Sequence, residues 1–245
     1  LAKADQGAVL VAEFSELEGY VAAEYARRAG VPEEVARAVE EHYLPEGASS
    51  PPPGGAAGAL LAAAERIDNL VGAFAVDEAP TGSKDPYGLR RAALGLVRIA
   101  LDRGWDLDPD PLLRAAYARL EAQGAALSVP ADETAGRVGE FLDDRLVYLL
   151  GEEGVGAEAV TAAIGARVGG LTTTAAWAPA IQAERGGAPF IAVCPASTRL
   201  NRLARKGPED DVAIAPGDDP GEAALRSAVE AAARPIATAQ ERGDF

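Results

Sequence analysis

Residues 80–103 read PTGSKDPYGLRRAALGLVRIALDR, and this stretch predicts the clearest helix of the chain. Asp85 is a good N-cap, because its carboxylate can accept hydrogen bonds from the first free backbone N–H groups. Pro86 then falls at the first helical position, where a missing N–H costs nothing. At 100° per residue, one apolar stripe forms the predicted core face. That stripe consists of Leu89, Ala93, Leu96, Val97 and Ala100.

Basic side chains accompany this helix away from its core face. Arg91 and Arg98 lie on the opposite side, Arg90 lies at the edge, and Lys84 stands in the preceding turn. Guanidinium groups fixed beside a buried stripe suit a polyanionic partner. The residues alone also allow a second interpretation, in which these groups form a solvated basic face on an ordinary helix.

The composition limits the class of protein. With 245 residues the chain has room for two domains. No apolar run is long enough to span a bilayer, and no signal peptide pattern opens the chain. The single cysteine, Cys194, excludes an internal disulfide and fits a reducing cytosol, so we expect a cytoplasmic protein without a membrane partner. The chain contains no Met, so Leu1 is not an initiator. Leu1 is either a processed end or, as we expect, the edge of a part of a longer protein.

A second basic cluster lies near the C-terminus, in the sequence STRLNRLARKG of residues 197–207. Arg199, Arg202 and Lys206 share one predicted helical face, Arg205 lies at its edge, and the cluster contains no acid. Arginine forks suit phosphates and guanine edges. The formal net charge of −15 argues against indiscriminate nucleic-acid binding, but it leaves room for a local basic site. We expect no DNA partner.

Periodicity predicts an all-α chain. The predicted helices cover about residues 1–14, 15–28, 32–44, 58–76, 86–103, 111–123, 132–151, 157–168, 172–184, a segment up to 206 that Pro195 can interrupt, and 222–240. The sequence GWDLDPDP, from Gly104, breaks the pattern and predicts a boundary between units 1–108 and 109–245. The Pro- and Gly-rich residues 48–58 predict a flexible loop with too little apolar surface to pack.

The residues offer few candidates for catalysis or metal binding. His42 is the only histidine, so it cannot form a His-rich metal cluster; we expect an imidazolium at a helix C-terminus, where the dipole favours it. A Ser-His-Asp triad would need His42 as its base. Asp5 and Asp68 could hold a divalent ion from facing helices, or act as caps or salt-bridge partners. No Walker A or dinucleotide fingerprint occurs, and we assign no catalytic residue.

Four stretches together carry a resemblance to a known family. They are LAKAD (1–5), AEFSELEGYVAAEYA (12–26), EEHYLP (40–45) and AERIDNLVGAFAVDEAPTGSKDPYGLRRAALGLVRI (64–99). They resemble the C-terminal portion of the beta subunit of bacterial heterotetrameric glycyl-tRNA synthetase. The resemblance is dense to about Asp108 and is collinear but diffuse beyond it, where STRLNRLARK is similar to the basic helix of the family's anticodon-binding domain.

The resemblance implies a degenerate HD-like helical domain at 1–108 and a helical linker with an anticodon-binding-type domain at 109–245, cut short at Phe245. It implies tRNA(Gly) and the alpha subunit as partners, with ATP and Mg used by the alpha subunit and no cofactor bound here. The basic residues singled out above become the expected tRNA contacts: Lys84, Arg90, Arg91, Arg98, Arg199, Arg202, Arg205 and Lys206.

The resemblance also makes Asp5 and Asp68 vestigial positions of an HD metal site, with Ala4 where the family of phosphohydrolases has histidine. This pattern implies that the metal is lost. Val9, Glu65 and Arg202 depart from the family pattern, and Arg202 stands where an Asn is expected. Two alternatives remain open: a helical module that docks the alpha subunit without tRNA affinity, and an HD-type phosphohydrolase.

Overall fold

The computed structural model describes residues 2–47, 49–166, 169–204 and 220–242. Within these ranges the fold is all-α as predicted, and an isolated bridge between Thr81 and Lys84 is the only β-type pairing. Two 3-10 turns, Ala4–Gly7 and Ser15–Leu17, accompany the helices. The helices are α1 (Val9–Glu13), α2 (Tyr20–Arg28), α3 (Glu33–Glu41), α4 (Ala56–Ala75), α5 (Leu89–Arg103), α6 (Pro109–Ala122), α7 (Ala131–Glu152), α8 (Ala157–Ala166), α9 (Leu171–Glu184), α10 (Ala188–Ala204) and α11 (Pro220–Arg242).

The largest apolar core lies among α4 to α9. Helix α4 packs against α5, α6 and α7, while α7, α8 and α9 close the other side. Its fully buried side chains include Leu70, Leu89, Leu113, Leu142 and Leu146. Helices α2 and α3 pack on each other, and α3 joins them to α4. The N-terminal helices therefore form a smaller layer on one side of the main core.

Helix α5 confirms the predicted core stripe, because all five of its apolar residues are buried. The helix begins later in the sequence than predicted. Asp85 accepts hydrogen bonds from the backbone N–H groups of Leu89 (2.8 Å) and Arg90 (3.0 Å), so it does cap the helix. The helix nevertheless begins at Leu89 rather than at Pro86, because Gly88 adopts the left-handed conformation with φ of 64°. At the other end Gly104, also at φ 64°, terminates α5 as a C-cap glycine.

The prediction of a continuous helix over residues 1–14 is wrong. Ala8 is extended (φ −84°, ψ 133°) and separates the first 3-10 turn from α1. The buried carboxylate of Asp5 accepts a hydrogen bond of 2.6 Å from Gly19 N–H, which draws the next turn towards it. Gly19 has φ of 74°, and a Cβ there would lie 2.8 Å from the Glu40 carbonyl oxygen. Tertiary contacts at Asp5 and Gly19 thus override the local helical propensity.

The prediction that residues 48–58 do not pack is also wrong for the residues described. Arg98 donates hydrogen bonds to the carbonyl oxygens of Gly47 (2.7 Å) and Ser50 (2.8 Å), and Arg103 donates one to Pro53. The backbone N–H of Gly55 donates to the Glu41 carboxylate at 2.8 Å. Polar contacts from α5 and α3 hold this segment in place, and Pro53 within it is buried.

The segment after α5 ties the predicted second unit to the first. The carbonyl oxygen of Leu107 accepts a hydrogen bond of 3.0 Å from Leu171 N–H, and the Asp106 carboxylate accepts the N–H of Thr173 at 2.9 Å. Burial would raise the pKa of Asp106, but hydrogen bonds from Thr173 and its neighbours outweigh burial and lower the pKa to about 2. The core is continuous across residue 108, so the division into two domains there stays a prediction.

Helices α10 and α11 differ from the others because almost all of their described side chains are exposed. Helix α10 continues through Pro195, which was expected to be a possible break, and α11 continues through Pro235. Their exposed large apolar side chains are Ile191, Val193, Leu200, Leu225, Val229 and Ile236. None of the helices described is both long and apolar enough to cross a membrane.

Candidate functional site

The basic cluster on α10 keeps its guanidinium groups available. Arg199 and Arg202 are exposed and three residues apart, so they lie on the same side of the helix. Among the residues described, neither forms an ion pair with a carboxylate. Residues 185–208 contain five basic side chains and no acid. Arg205 and Lys206, which were predicted to extend this cluster, lie outside the described residues.

Most other exposed arginines already have a carboxylate partner. The Nε of Arg28 lies 2.8 Å from Glu24, that of Arg37 lies 2.6 Å from Glu41, and Arg27 pairs with two glutamates. Further ion pairs involve Arg114, Arg137, Arg185 and Arg226. Arg91, Arg119, Arg234 and Arg242 are also exposed without an ion pair among the described residues, so the lack of nearby acid in the sequence, rather than free guanidinium groups alone, distinguishes the α10 cluster.

The basic residues of α5 serve several purposes. Lys84 is exposed, whereas Arg90 donates hydrogen bonds to the carbonyl oxygens of Gly82 (2.6 Å) and Lys84 (3.4 Å). Arg98 donates hydrogen bonds to the carbonyl oxygens of Gly47 and Ser50, as described above. Arg90 and Arg98, two of the predicted tRNA contacts, thus donate hydrogen bonds to carbonyl groups of the protein itself. Their contact with tRNA stays a prediction.

Arg91 lies in acidic surroundings. It lines an open cleft of about 430 Å³ together with Glu16, Glu18 and Glu46. Its exposed guanidinium forms no ion pair within the described part of the chain. The basic side of α5 is therefore interrupted by negative charge, unlike the acid-free face of α10.

Arg145 on α7 is a further basic residue near Arg90, and the sequence did not indicate it as part of a candidate site. Its guanidinium carbon lies 4.0 Å from the centroid of the Phe141 ring, and burial lowers its pKa. Arg90 and Asp85 are close enough for their charges to act on it. No local signal could identify Arg145, because it follows two aspartates in sequence and meets Arg90 only through the packing of α5 on α7.

Asp5 and Asp68, which the resemblance implied to be vestigial HD positions, belong to no candidate metal cluster among the described residues. Asp5 is 2% exposed and its oxygens accept hydrogen bonds from Gly19 N–H and, at 3.3 Å, from Tyr43 Oη. Asp68 is exposed and lines a different cleft on α4. Lys3 places its ammonium 2.9 Å from Glu65 and 4.5 Å from the centroid of the Tyr43 ring. Among the residues described, no group of three or more His, Cys, Asp or Glu could hold a metal ion. The side chains near Asp5 thus do not fit an HD-type metal.

His42 lies at the C-terminal end of α3, as expected. The expected imidazolium is wrong, because the ring is fully buried at 0% exposure and burial lowers its pKa. Its Nδ1 lies 2.6 Å from the Val39 carbonyl oxygen, which can only accept, so Nδ1 carries the proton. Nε2 has no hydrogen-bond partner among the described residues. His42 therefore packs as a neutral ring at the end of α3, a structural rather than a catalytic position.

Comparisons with known proteins agree on one family. The profile of the family described as "Glycyl-tRNA synthetase beta subunit" matches residues 1–165. Proteins named glycine–tRNA ligase beta subunit are similar along the chain: 34% identity over 245 residues in Desulfitobacterium hafniense, 40% over 230 residues in Desulforudis audaxviator and 36% over 245 residues in Geobacter sulfurreducens. These alignments cover 100%, 93% and 100% of the chain but only 35%, 33% and 35% of the relatives. The chain thus spans about a third of the length of the curated relatives that it matches.

Proposed function

Because the chain belongs to the glycyl-tRNA synthetase beta-subunit family, we propose that it contacts tRNA(Gly) while glycine is attached to that tRNA in the cytoplasm. In this proposal the alpha subunit activates glycine with ATP and Mg and transfers it. The chain contributes binding and positioning, with no catalytic residue and no cofactor of its own. Residues 1–108 act as a degenerate HD-like domain, and residues 109–245 include an anticodon-binding-type domain.

The acid-free face of α10 carries this proposal. Arg199 and Arg202 present planar guanidinium forks on an exposed helix, and each fork can donate two parallel hydrogen bonds to a phosphate. Arg205 and Lys206 follow directly in the sequence. Arg199 and Arg202, three residues apart on one side of α10, can contact neighbouring phosphates of one RNA strand.

The overall negative charge is compatible with such a local site. At physiological ionic strength, charges separated by more than about 8 Å are largely screened, so distant carboxylates weaken a direct arginine–phosphate contact only slightly. The net charge of −15 acts mainly on the encounter, where it repels RNA that approaches from other directions. Binding should therefore be short-range and strongly dependent on salt.

Glycylation by the beta subunit assembled with the alpha subunit tests the proposal. Arg202→Glu should raise the KM for tRNA(Gly) by roughly tenfold, because it removes a charge-assisted phosphate contact, and should leave the KM for glycine unchanged. The matched control is Arg119→Glu, the same charge reversal at an exposed arginine of α6. Equal kinetics for the two variants would contradict the assignment of α10.

The exposed apolar side chains of α10 and α11 favour a second candidate, docking of the alpha subunit. Val229 and Ile236 on α11 are seven residues apart and 59% and 55% exposed. A helix face of this kind is typical of a protein interface. If Val229→Ser prevents co-purification of the alpha subunit while tRNA affinity is kept, this part of the chain serves docking. No arrangement among the described residues favours the phosphohydrolase alternative.

A further inference from the structure

A long groove runs over the exposed side of α4. It consists of the cleft that Arg91 lines, about 430 Å³, and an adjoining cleft of about 470 Å³ beside α6. Asn69 and Tyr87 line both clefts and connect them. We call the two together the α4 groove. None of its features is used by the proposed tRNA contacts of α10.

The rim of the α4 groove is acidic. Five carboxylates on it have no cationic partner among the described residues: Glu16, Glu18, Glu46, Asp68 and Glu78. Glu65 also lines it but is neutralised by Lys3 at 2.9 Å. Arg66 is buried and Arg91 is the one exposed base that lines the described groove. The groove therefore carries a strong excess of negative charge.

The second cleft adds apolar surface to this charge. Ala73, Val76, Leu89 and Leu120 line it. Tyr87 is 62% exposed where the two clefts meet, and Val76 is 43% exposed. A large aromatic side chain left open between acidic walls is available to pack against a partner's apolar side chain.

We propose that the α4 groove docks a basic amphipathic segment of a protein partner. Aliphatic side chains of that segment pack on Tyr87 and the apolar floor, and its lysines and arginines pair with the rim carboxylates. RNA does not fit, because phosphates would meet unpaired carboxylates. A bare polyamine would satisfy the charges but would leave the apolar floor exposed. Charge complementarity and the exposed ring of Tyr87 together specify the chemistry of the partner.

The test uses a short fluorescein-labelled peptide of Leu and Lys arranged with helical period, titrated with the chain and followed by anisotropy. The groove variant Glu16→Gln/Asp68→Asn/Glu78→Gln removes three exposed carboxylates. The control Glu121→Gln/Glu140→Gln/Glu153→Gln removes three exposed carboxylates elsewhere. We expect roughly tenfold weaker binding for the groove variant and less than about twofold for the control.

The apolar part is tested separately with Tyr87→Ser, for which we expect several-fold weaker peptide binding. Thermal melts check that every variant is folded. Equal weakening by the groove and control variants would show a non-specific charge effect and overturn the proposal. If spermine at equal charge displaces the peptide and Tyr87→Ser leaves peptide binding unchanged, the α4 groove is a simple cation site and the proposal is overturned. Binding of tRNA(Gly) by the wild type and by the groove variant is measured in parallel. If the wild type does not bind tRNA(Gly), the proposed function is contradicted, while the proposal for the α4 groove is judged by the peptide titrations alone.

Discussion

At the residue scale, one buried guanidinium joins the turn after α3 to α4. Arg66 on α4 is 5% exposed and donates hydrogen bonds to the carbonyl oxygens of Ala62 (2.9 Å), His42 (3.1 Å) and Tyr43 (3.0 Å). Burial lowers its pKa, but an arginine stays protonated under all ordinary conditions. Removing it would leave several buried carbonyl groups without donors. Arg66 therefore fixes the turn after α3 against α4.

Gly95 on α5 provides the space for this guanidinium, which leads to a first prediction. A Cβ at Gly95 would lie 2.6 Å from Arg66 Nε, so Gly95→Ala forces the guanidinium out of its hydrogen bonds. We expect a loss of about 1–3 kcal/mol in the free energy of unfolding, measured by urea denaturation. Gly136→Ala on α7 is the control, because a Cβ there meets nothing within 4 Å.

The control should behave in the opposite way. Ala is favoured over Gly within a helix, so Gly136→Ala should raise stability by about 0.5–1 kcal/mol. If both substitutions stabilise the protein, Gly95 is not needed for the Arg66 contacts and the packing described for α4 and α5 is incorrect.

A second prediction concerns the protonation of His42. Burial lowers the pKa of His42, so the folded state binds a proton at this ring less readily than the unfolded state does. As the pH falls below 6.5, the pKa of the unfolded state, His42 therefore destabilises the fold. The chain has one histidine, so a single imidazole resonance in NMR gives the pKa directly. A folded-state pKa above 6.5 would instead support the imidazolium that the sequence favoured.

At the element scale, α5 anchors the loop between α3 and α4, a contact that neither the helix sequence nor the loop sequence predicts. Arg98 reaches the carbonyl groups of Gly47 and Ser50, which are 51 and 48 residues away in the chain. The loop sequence contains several prolines and glycines, and such composition predicts flexibility. Hydrogen bonds from a distant helix reverse that expectation.

Arg98→Met should release this loop, which is the third prediction. Methionine keeps the aliphatic stem but loses the hydrogen bonds, so we expect a loss of about 1.5–3 kcal/mol and faster proteolysis within residues 47–55. Arg91→Met, on the same helix, removes an exposed arginine without a bonded partner and should change stability by less than about 0.5 kcal/mol. Equal protease sensitivity of the two variants would contradict the anchoring role of Arg98.

Helices with strong apolar periodicity could be predicted from the sequence, whereas their polar contacts could not. The span of α4 and the buried stripe of α5 follow from local spacing, because helical geometry fixes which residues share a face. The break between Asp5 and α1 could not be predicted, since it depends on Gly19 meeting the Asp5 carboxylate. The same is true of Arg90 and Arg98, whose partners are carbonyl groups in loops.

At the scale of the whole molecule, charge is unevenly distributed. Residues 185–208 contain no acid, while the α4 groove is lined by carboxylates. The acid-free run is visible in the sequence, so the α10 part of the candidate site could be predicted. The acidic groove could not, because its carboxylates come from four places: the turn around residues 15–18, the α3–α4 connection, α4 and the α4–α5 connection. Our proposals of an RNA contact on α10 and of a basic protein segment in the α4 groove rest on this distribution.

A fourth prediction concerns catalysis. The chain contains no phosphate-cradling glycine-rich motif, and our proposal places glycine activation in the alpha subunit. The chain alone should therefore give no glycine-dependent ATP–pyrophosphate exchange, whereas the assembled enzyme should. Exchange by the chain alone, abolished by heat denaturation, would contradict the division of roles.

Titration of labelled tRNA(Gly) with the chain at several salt concentrations tests whether α10 contacts tRNA. The wild-type affinity should fall steeply as salt rises, and Arg202→Glu should weaken binding and lower the salt slope by roughly one, since one phosphate contact is lost. Arg119→Glu, with the same change in net charge, should leave the slope unchanged. If Arg202→Glu and Arg119→Glu both bind tRNA(Gly) with the wild-type affinity and salt slope, α10 does not contact tRNA and the claim is wrong.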